Sequence, residues 1–216
     1  MKTVVCYGDT NTWGYDEETG GRLDYDSRWT GILDKELGDG WRVVEEGLPG
    51  RTTVNEDPVE QHKNGREQLY PCLESHGPID VMVLMLGQVE LKSRFSLTAW
   101  DIAMGMEELV RIVKESGAGP DGGAPAILLI SPVLVGTVKG TPMEKWFPAE
   151  GTAERSALFP SLYREIAARY GAAFLEASSV AKTAADAIHI ANGSQRAFAL
   201  AVAKRVRELE GGSYEN

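Results

Sequence analysis

The chain has 216 residues, 43% hydrophobic and 25% charged, which describes one compact domain large enough to bury a substantial core. Its formal net charge of -10 excludes nucleic acid as a partner, because no cluster of Lys and Arg is available to neutralise phosphates. Only Cys6 and Cys72 are present, far apart and outside any metal-ligand spacing, so no disulfide framework and no metal is expected, and a reducing, cytoplasmic setting fits.

In chain order, the short N-terminal apolar run predicts a first strand that delivers Gly8-Asp9-Thr10 to an exposed turn. That run is too short for a signal-peptide apolar region, and no later window approaches membrane-spanning length. Trp41 to Val44 predicts a second strand, followed by the turn from Gly47 to Arg51. Val81 to Leu86 is continuously apolar, as expected for a parallel strand covered on both faces, and it ends at Gly87-Gln88-Val89-Glu90. Ala99, Ile102, Ala103, Met106, Val110 and Val113 then recur at helical spacing. Residues 117–122 match a dinucleotide-type GxGxxG, but they follow a helix and precede a strand, the reverse of the required context, so they read as a turn. Ala126 to Ile130, leading into Ser131-Pro132, and Ala172 to Leu175 supply two more strands. Asp186-Ala187-Ile188-His189 sits just before a last helix that carries Phe198, Val202, Val206 and Leu209, with Asn192 or Ser194 as its N-cap.

This alternation predicts an α/β fold: a single-domain, three-layer, flavodoxin-like, doubly wound parallel sheet of about five strands flanked by helices, over residues 1–210, with 211–216 a frayed tail. Ligands of such sheets sit beyond the carboxyl ends of the strands, where the turns at Thr10, Gly50, Val89 and His189 would meet. A carboxylate three residues ahead of a histidine can hold the imidazole's tautomer and stabilise its charged form.

The ordered blocks Gly8-Asp9-Thr10-Asn11-Thr12-Trp13-Gly14, Arg28-Trp29-Thr30-Gly31, Glu45 to Thr53, Met85-Leu86-Gly87 and Asp186-Ala187-Ile188-His189 resemble the Ser-Gly-Asn-His (GDSL-type) hydrolases, most closely their arylesterase/acyltransferase-like branch. The resemblance runs from Lys2 to about Leu209. It implies an ester hydrolase or acyltransferase acting on a small ester, without cofactor. His189 matches the family's base, Asp186 its orienting carboxylate, and Gly50 the glycine whose backbone N–H serves the oxyanion beside that of Thr10. Relatives of this branch often assemble as homo-oligomers, so self-association is an accompanying expectation.

Two name-giving positions depart from the pattern. Thr10 stands where the family has its serine, and Val89 where it has the oxyanion-hole asparagine, with Glu90 in place of the following aspartate. Threonine keeps the hydroxyl but restricts χ1 and sets a methyl group beside the attack trajectory. A side-chain oxyanion donor is worth about 2.7–4 kcal/mol, so its loss is the larger change. Asn11 or Gln88 could supply a replacement amide. Trp13, Trp146 and Phe147 could wall an acyl pocket, Val89 reads as core filling, and Glu90 as solvated or paired with Lys92 or Arg94. Arg28 and Trp29 read as fixing the first loop, and His62 and His76 as exposed. Beside the hydrolase with an atypical Thr10-His189-Asp186 triad stand a catalytically degenerate relative that binds an acyl or sugar ligand and, more remotely, a flavodoxin-like cofactor domain lacking its phosphate loops.

Overall fold

A computed structural model describes residues 1–211; the expected frayed tail lies outside the described residues apart from Gly211, which caps the last helix. Five strands form one all-parallel sheet: β1 (Lys2–Gly8), β2 (Trp41–Gly47), β3 (Val81–Met85), β4 (Ala126–Ser131) and β5 (Ala173–Glu176), in the order β2-β1-β3-β4-β5. The helices are α1 (Thr10–Trp13), α2 (Trp29–Leu37), α3 (Gly65–His76), α4 (Ala99–Glu115), α5 (Thr152–Ser156), α6 (Phe159–Tyr170) and α7 (Gln195–Glu210).

The pleat of β1 divides its side chains between two cores, because successive residues of a strand point to opposite faces. Val5 and Tyr7 pack with Met82, Leu84 and Leu129 and with Leu69 of α3, Ile102 and Met106 of α4 and Tyr163 of α6. Val4 and Cys6 pack with Val81, Val83 and Leu128 and with Trp29 and Leu33 of α2 and Phe198 and Val202 of α7. Both faces are therefore covered, which is why β3 is buried at every residue. The edge strand β2 continues past the apolar run through Glu45 and Glu46, since backbone pairing of Tyr7 with Glu46 and of Gly8 with Gly47 holds it in register.

Local signals end the elements. Thr98 and Asp101 form a reciprocal capping box at the start of α4. At α7 the expected cap is not made: Ser194 precedes the helix, but its Oγ accepts from the N–H of Lys182, and no side-chain cap bond forms. Residues 117–122 lie in an exposed turn between α4 and β4, closed by Gly119 N–H to the Gly123 carbonyl.

Gly8, Gly47 and Met85 lie level at the carboxyl ends of β1, β2 and β3. The turns that follow these ends build the site.

Candidate active site

Strand β1 ends at Gly8, and Asp9 caps the one-turn helix α1 by accepting the Asn11 N–H at 2.9 Å, which places Thr10 at the helix N-terminus. Across the turn, Gly50 sits in the left-handed region at φ +81°, where a Cβ would also come within 2.7 Å of Glu60 Oε2. That conformation aims its N–H at Thr10 Oγ1, 3.3 Å away. Among the described residues this is the Thr10 hydroxyl's one hydrogen bond, and Oγ1 accepts in it, which leaves the hydroxyl proton available for donation.

His189 arrives on the loop before α7. Asp186 accepts the Ile188 and His189 backbone N–H groups on Oδ1, at 2.9 and 3.0 Å, and approaches His189 Nδ1 to 2.6 Å with Oδ2. Ala187 between them adopts φ +71°, a conformation costly for a residue with a Cβ and held here by the bonds on either side. Burial alone would raise the Asp186 carboxyl, but the hydrogen bonds and charge of His189 outweigh it and hold Asp186 below the ordinary carboxylate range. Tyr15 lies against the His189 ring at a centroid distance of 4.1 Å.

Thr10, Gly50, Val89 and His189 thus border one cleft of about 220 Å3, together with Glu60, Lys92, Met143, Trp146 and Phe147. Drug-sized ligands occupy about 300–1,000 Å3, so this cleft suits a small molecule. A larger depression of about 660 Å3 lies at the other end of the sheet, between the ends of α3 and α4, and holds none of these groups.

The structure redistributes several expected roles. Asn11 and Gln88 border the cleft but brace its loops. Asn11 Nδ2 donates to Gln88 Oε1 at 2.7 Å and Asn11 Oδ1 accepts from Ile190 N–H at 2.8 Å. Gln88 Nε2 donates to the carbonyls of Val133 and Ile188 at 3.0 and 2.9 Å, so both its N–H groups are spent. Trp13 ends α1 outside the cleft, with the Arg22 guanidinium 5.4 Å from its ring, while Trp146 and Phe147 do form a wall. Arg28 grips Glu45 with two 2.6 Å bonds, and Trp29 is buried with its indole N–H on the Asn11 carbonyl, so both fix the first loop.

Val89 is buried on a 3-10 turn over Val89–Leu91 and presents an apolar surface to the cleft. Glu90 is neither solvated nor paired with Lys92 or Arg94. The same turn points it inward, fully buried, where Thr53 donates both its backbone N–H and its hydroxyl to Oε1. Lys92 instead pairs with Glu60 at 3.2 Å, and Arg94 with Asp57 and Glu60 at 2.6 and 2.7 Å. His76 is half-buried rather than exposed, with Nε2 2.8 Å from Glu46 Oε1.

Residues 6–196 match the GDSL-like lipase/acylhydrolase family. The chain belongs to that family. Its structure aligns with the native aryl esterase of M. smegmatis at a TM-score of 0.89 and 35% identity, over 97% of this chain and 100% of that one. A carbohydrate acetylesterase family member from Sinorhizobium meliloti aligns at 0.90 and 35% identity, over 98% and 100%. The lipase/acylhydrolase from Enterococcus faecalis, at 0.65 and 17% identity over 100% and 99%, shares the fold. No curated protein matches the chain. Among the described residues of this GDSL-like hydrolase, no helix is long and apolar enough to cross a membrane.

For two buried carboxylates, Asp9 on the cleft lining and Glu90, no sequence pattern announces the raised pKa. Burial raises the Asp9 carboxyl to about 6 against the pull of the Asn11 N–H, and burial raises Glu90 against the two Thr53 bonds. Only the inward turn at Val89 and the approach of Thr53 reveal Glu90, and neither leaves a local pattern.

Proposed function

We propose that the chain hydrolyses small carboxylic esters with Thr10 as nucleophile, His189 as general base and Asp186 as the carboxylate that orients it. The observation that carries this reading is the meeting of three groups in one cleft: the Thr10 hydroxyl, the Gly50 N–H at 3.3 Å and a His189 whose Nδ1 is held by Asp186. With Nδ1–H committed to Asp186, the neutral ring keeps Nε2 free to take a proton. Thr10 Oγ1 attacks the ester carbonyl as its proton passes to Nε2. The Gly50 N–H, with the N–H of Thr10, then faces the oxyanion. His189 returns the proton to the leaving alcohol, and water, or an alcohol in acyl transfer, resolves the acyl-enzyme by the same path.

The small cleft suits a short acyl group, walled by Met143, Trp146 and Phe147, and the Glu60–Lys92 pair offers polar contacts to a leaving group at its rim. The aryl esterase and carbohydrate acetylesterase relatives support aryl and sugar esters as the classes to try. Two free, buried cysteines support cytoplasmic residence.

One observation favours a second reading. The apolar surface of Val89, with the Asn11 and Gln88 amides tied into the loops, leaves the oxyanion site without a side-chain donor, as a binder without turnover would have it. Hydrolysis of p-nitrophenyl acetate and butyrate by the wild type, Thr10→Ala and His189→Ala at matched purity separates the two. An esterase loses its turnover to a similar floor in both variants, whereas rates indifferent to Thr10→Ala select the binder.

A further inference from the structure

Glu46, next to last in β2, faces Cys72 and His76, which stand four residues apart and therefore on one face of α3. A carboxylate oxygen, the thiol sulfur and an imidazole nitrogen all lie within 4.8 Å of one another. We propose that Glu46, Cys72 and His76 form a binding site for a divalent cation of the zinc class, separate from the esterase cleft.

The donor set selects the ion. Thiolate, imidazole and carboxylate together suit zinc and its cobalt surrogate, whereas magnesium and calcium ask for oxygen alone. Bonds of about 2.0–2.3 Å from a tetrahedral zinc set its ligand atoms about 3.3–3.7 Å apart. Glu46 Oε1 and His76 Nε2, now 2.8 Å apart, therefore open slightly, which half-buried side chains can do by rotation. Cys72 is buried and supplies the inner ligand, and Glu46 and His76 leave the fourth position to water. A carboxylate and a thiolate match the two charges of the dication, and the thiol proton leaves to solvent on binding. The buried Arg51 guanidinium beside them favours the thiolate but opposes the cation. The Arg51 guanidinium, 3.8 Å from Glu46 Oε2, faces the carboxylate's other oxygen and would hold the ligand in place from outside. The sequence hides this site because Glu46 comes from a different element, with only Cys72-x-x-x-His76 as a local trace.

Titrating the chelator-treated full chain with Co2+ tests the proposal. The expected result is one equivalent bound, with the near-ultraviolet charge-transfer band of a cobalt thiolate, competed away by Zn2+. The band disappears in Cys72→Ser and persists in Cys6→Ser. Affinity falls at least about tenfold in His76→Ala and in Glu46→Gln, the latter two changing half-buried positions that a folded chain tolerates. A folded wild type without a thiolate band overturns the site, as does a band that survives Cys72→Ser or an affinity unmoved by both His76→Ala and Glu46→Gln. Ester turnover in the same samples reads the cleft alone, so a failure of the esterase and a failure of the metal site stay distinct.

Discussion

Replacing Val89 by asparagine, together with Thr10→Ser, tests how far the cleft stands from efficient ester chemistry. Val89 borders the cleft with Thr10, Gly50 and His189, so an amide at this position starts beside the group it would serve. A preorganised side-chain donor lowers the barrier by about 2.7–4 kcal/mol, roughly a hundred- to a thousandfold in kcat. The cost falls on stability: Val89 is 5% exposed, and losing a buried valine's apolar surface removes about 2 kcal/mol, which a domain stable by about 5–15 kcal/mol tolerates. Thr10→Ser removes the methyl group that restricts χ1 and stands beside the attack trajectory. Nucleophile and donor act in one transition state, so the double variant should exceed either single change. Rates on p-nitrophenyl acetate, with urea unfolding of each variant alongside, read both effects. A folded double variant no faster than the wild type would refute the assignment of Val89 to the oxyanion site.

Gln88→Leu should remove three buried hydrogen bonds at about 1 kcal/mol each and leave their partners unpaired, lowering unfolding stability by about 3 kcal/mol or more; urea denaturation measures it, and kcat should fall because the Ile188 carbonyl next to His189 is released. Asp9 carries the opposite sign from a salt-bridged carboxylate: its folded pKa of about 6 lies above the ordinary value, so stability falls as pH rises from about 4 to 6. Asp9→Asn, which can still cap α1, should abolish that slope and gain up to about 3 kcal/mol at neutral pH, as thermal melts across pH would show. Asp186, held below its ordinary value, contributes stability that is kept at neutral pH and lost as acid drops below about pH 4. Gly50→Ala should cost about 1–3 kcal/mol at φ +81° and depress kcat with it, because the strained backbone moves the N–H that faces Thr10.

What the sequence made legible follows from periodicity and turn chemistry. The unbroken apolar run of β3 and the helical spacing of α4 are local consequences of burial on two faces and on one, and they placed the first residue of each element. The turns after the strands brought Thr10, Gly50, Val89 and His189 to one cleft because parallel strands leave their carboxyl ends level. Partners across the chain were not legible. Nothing near Glu90 announces Thr53, so adjacency to Lys92 and Arg94 suggested pairs that the inward 3-10 turn forbids. The amides of Asn11 and Gln88 looked free for a substrate, but each finds its partners at the Val133 and Ile188–Ile190 loops, far along the chain. Trp13 lies outside the cleft with the Arg22 guanidinium over its ring, a partner nine residues along the chain that no local pattern marks.

The Tyr15 ring against His189 limits how that imidazole meets reagents as well as substrates. With one face covered and Nδ1 held by Asp186, the ring cannot flip without breaking both contacts, and proton traffic is confined to the Nε2 edge. An electrophile such as diethyl pyrocarbonate must then reach His189 through the cleft, and any ester or product lodged there shields it. Protection of this one histidine against acylation therefore reports occupancy of the cleft whether or not the bound molecule is ever turned over.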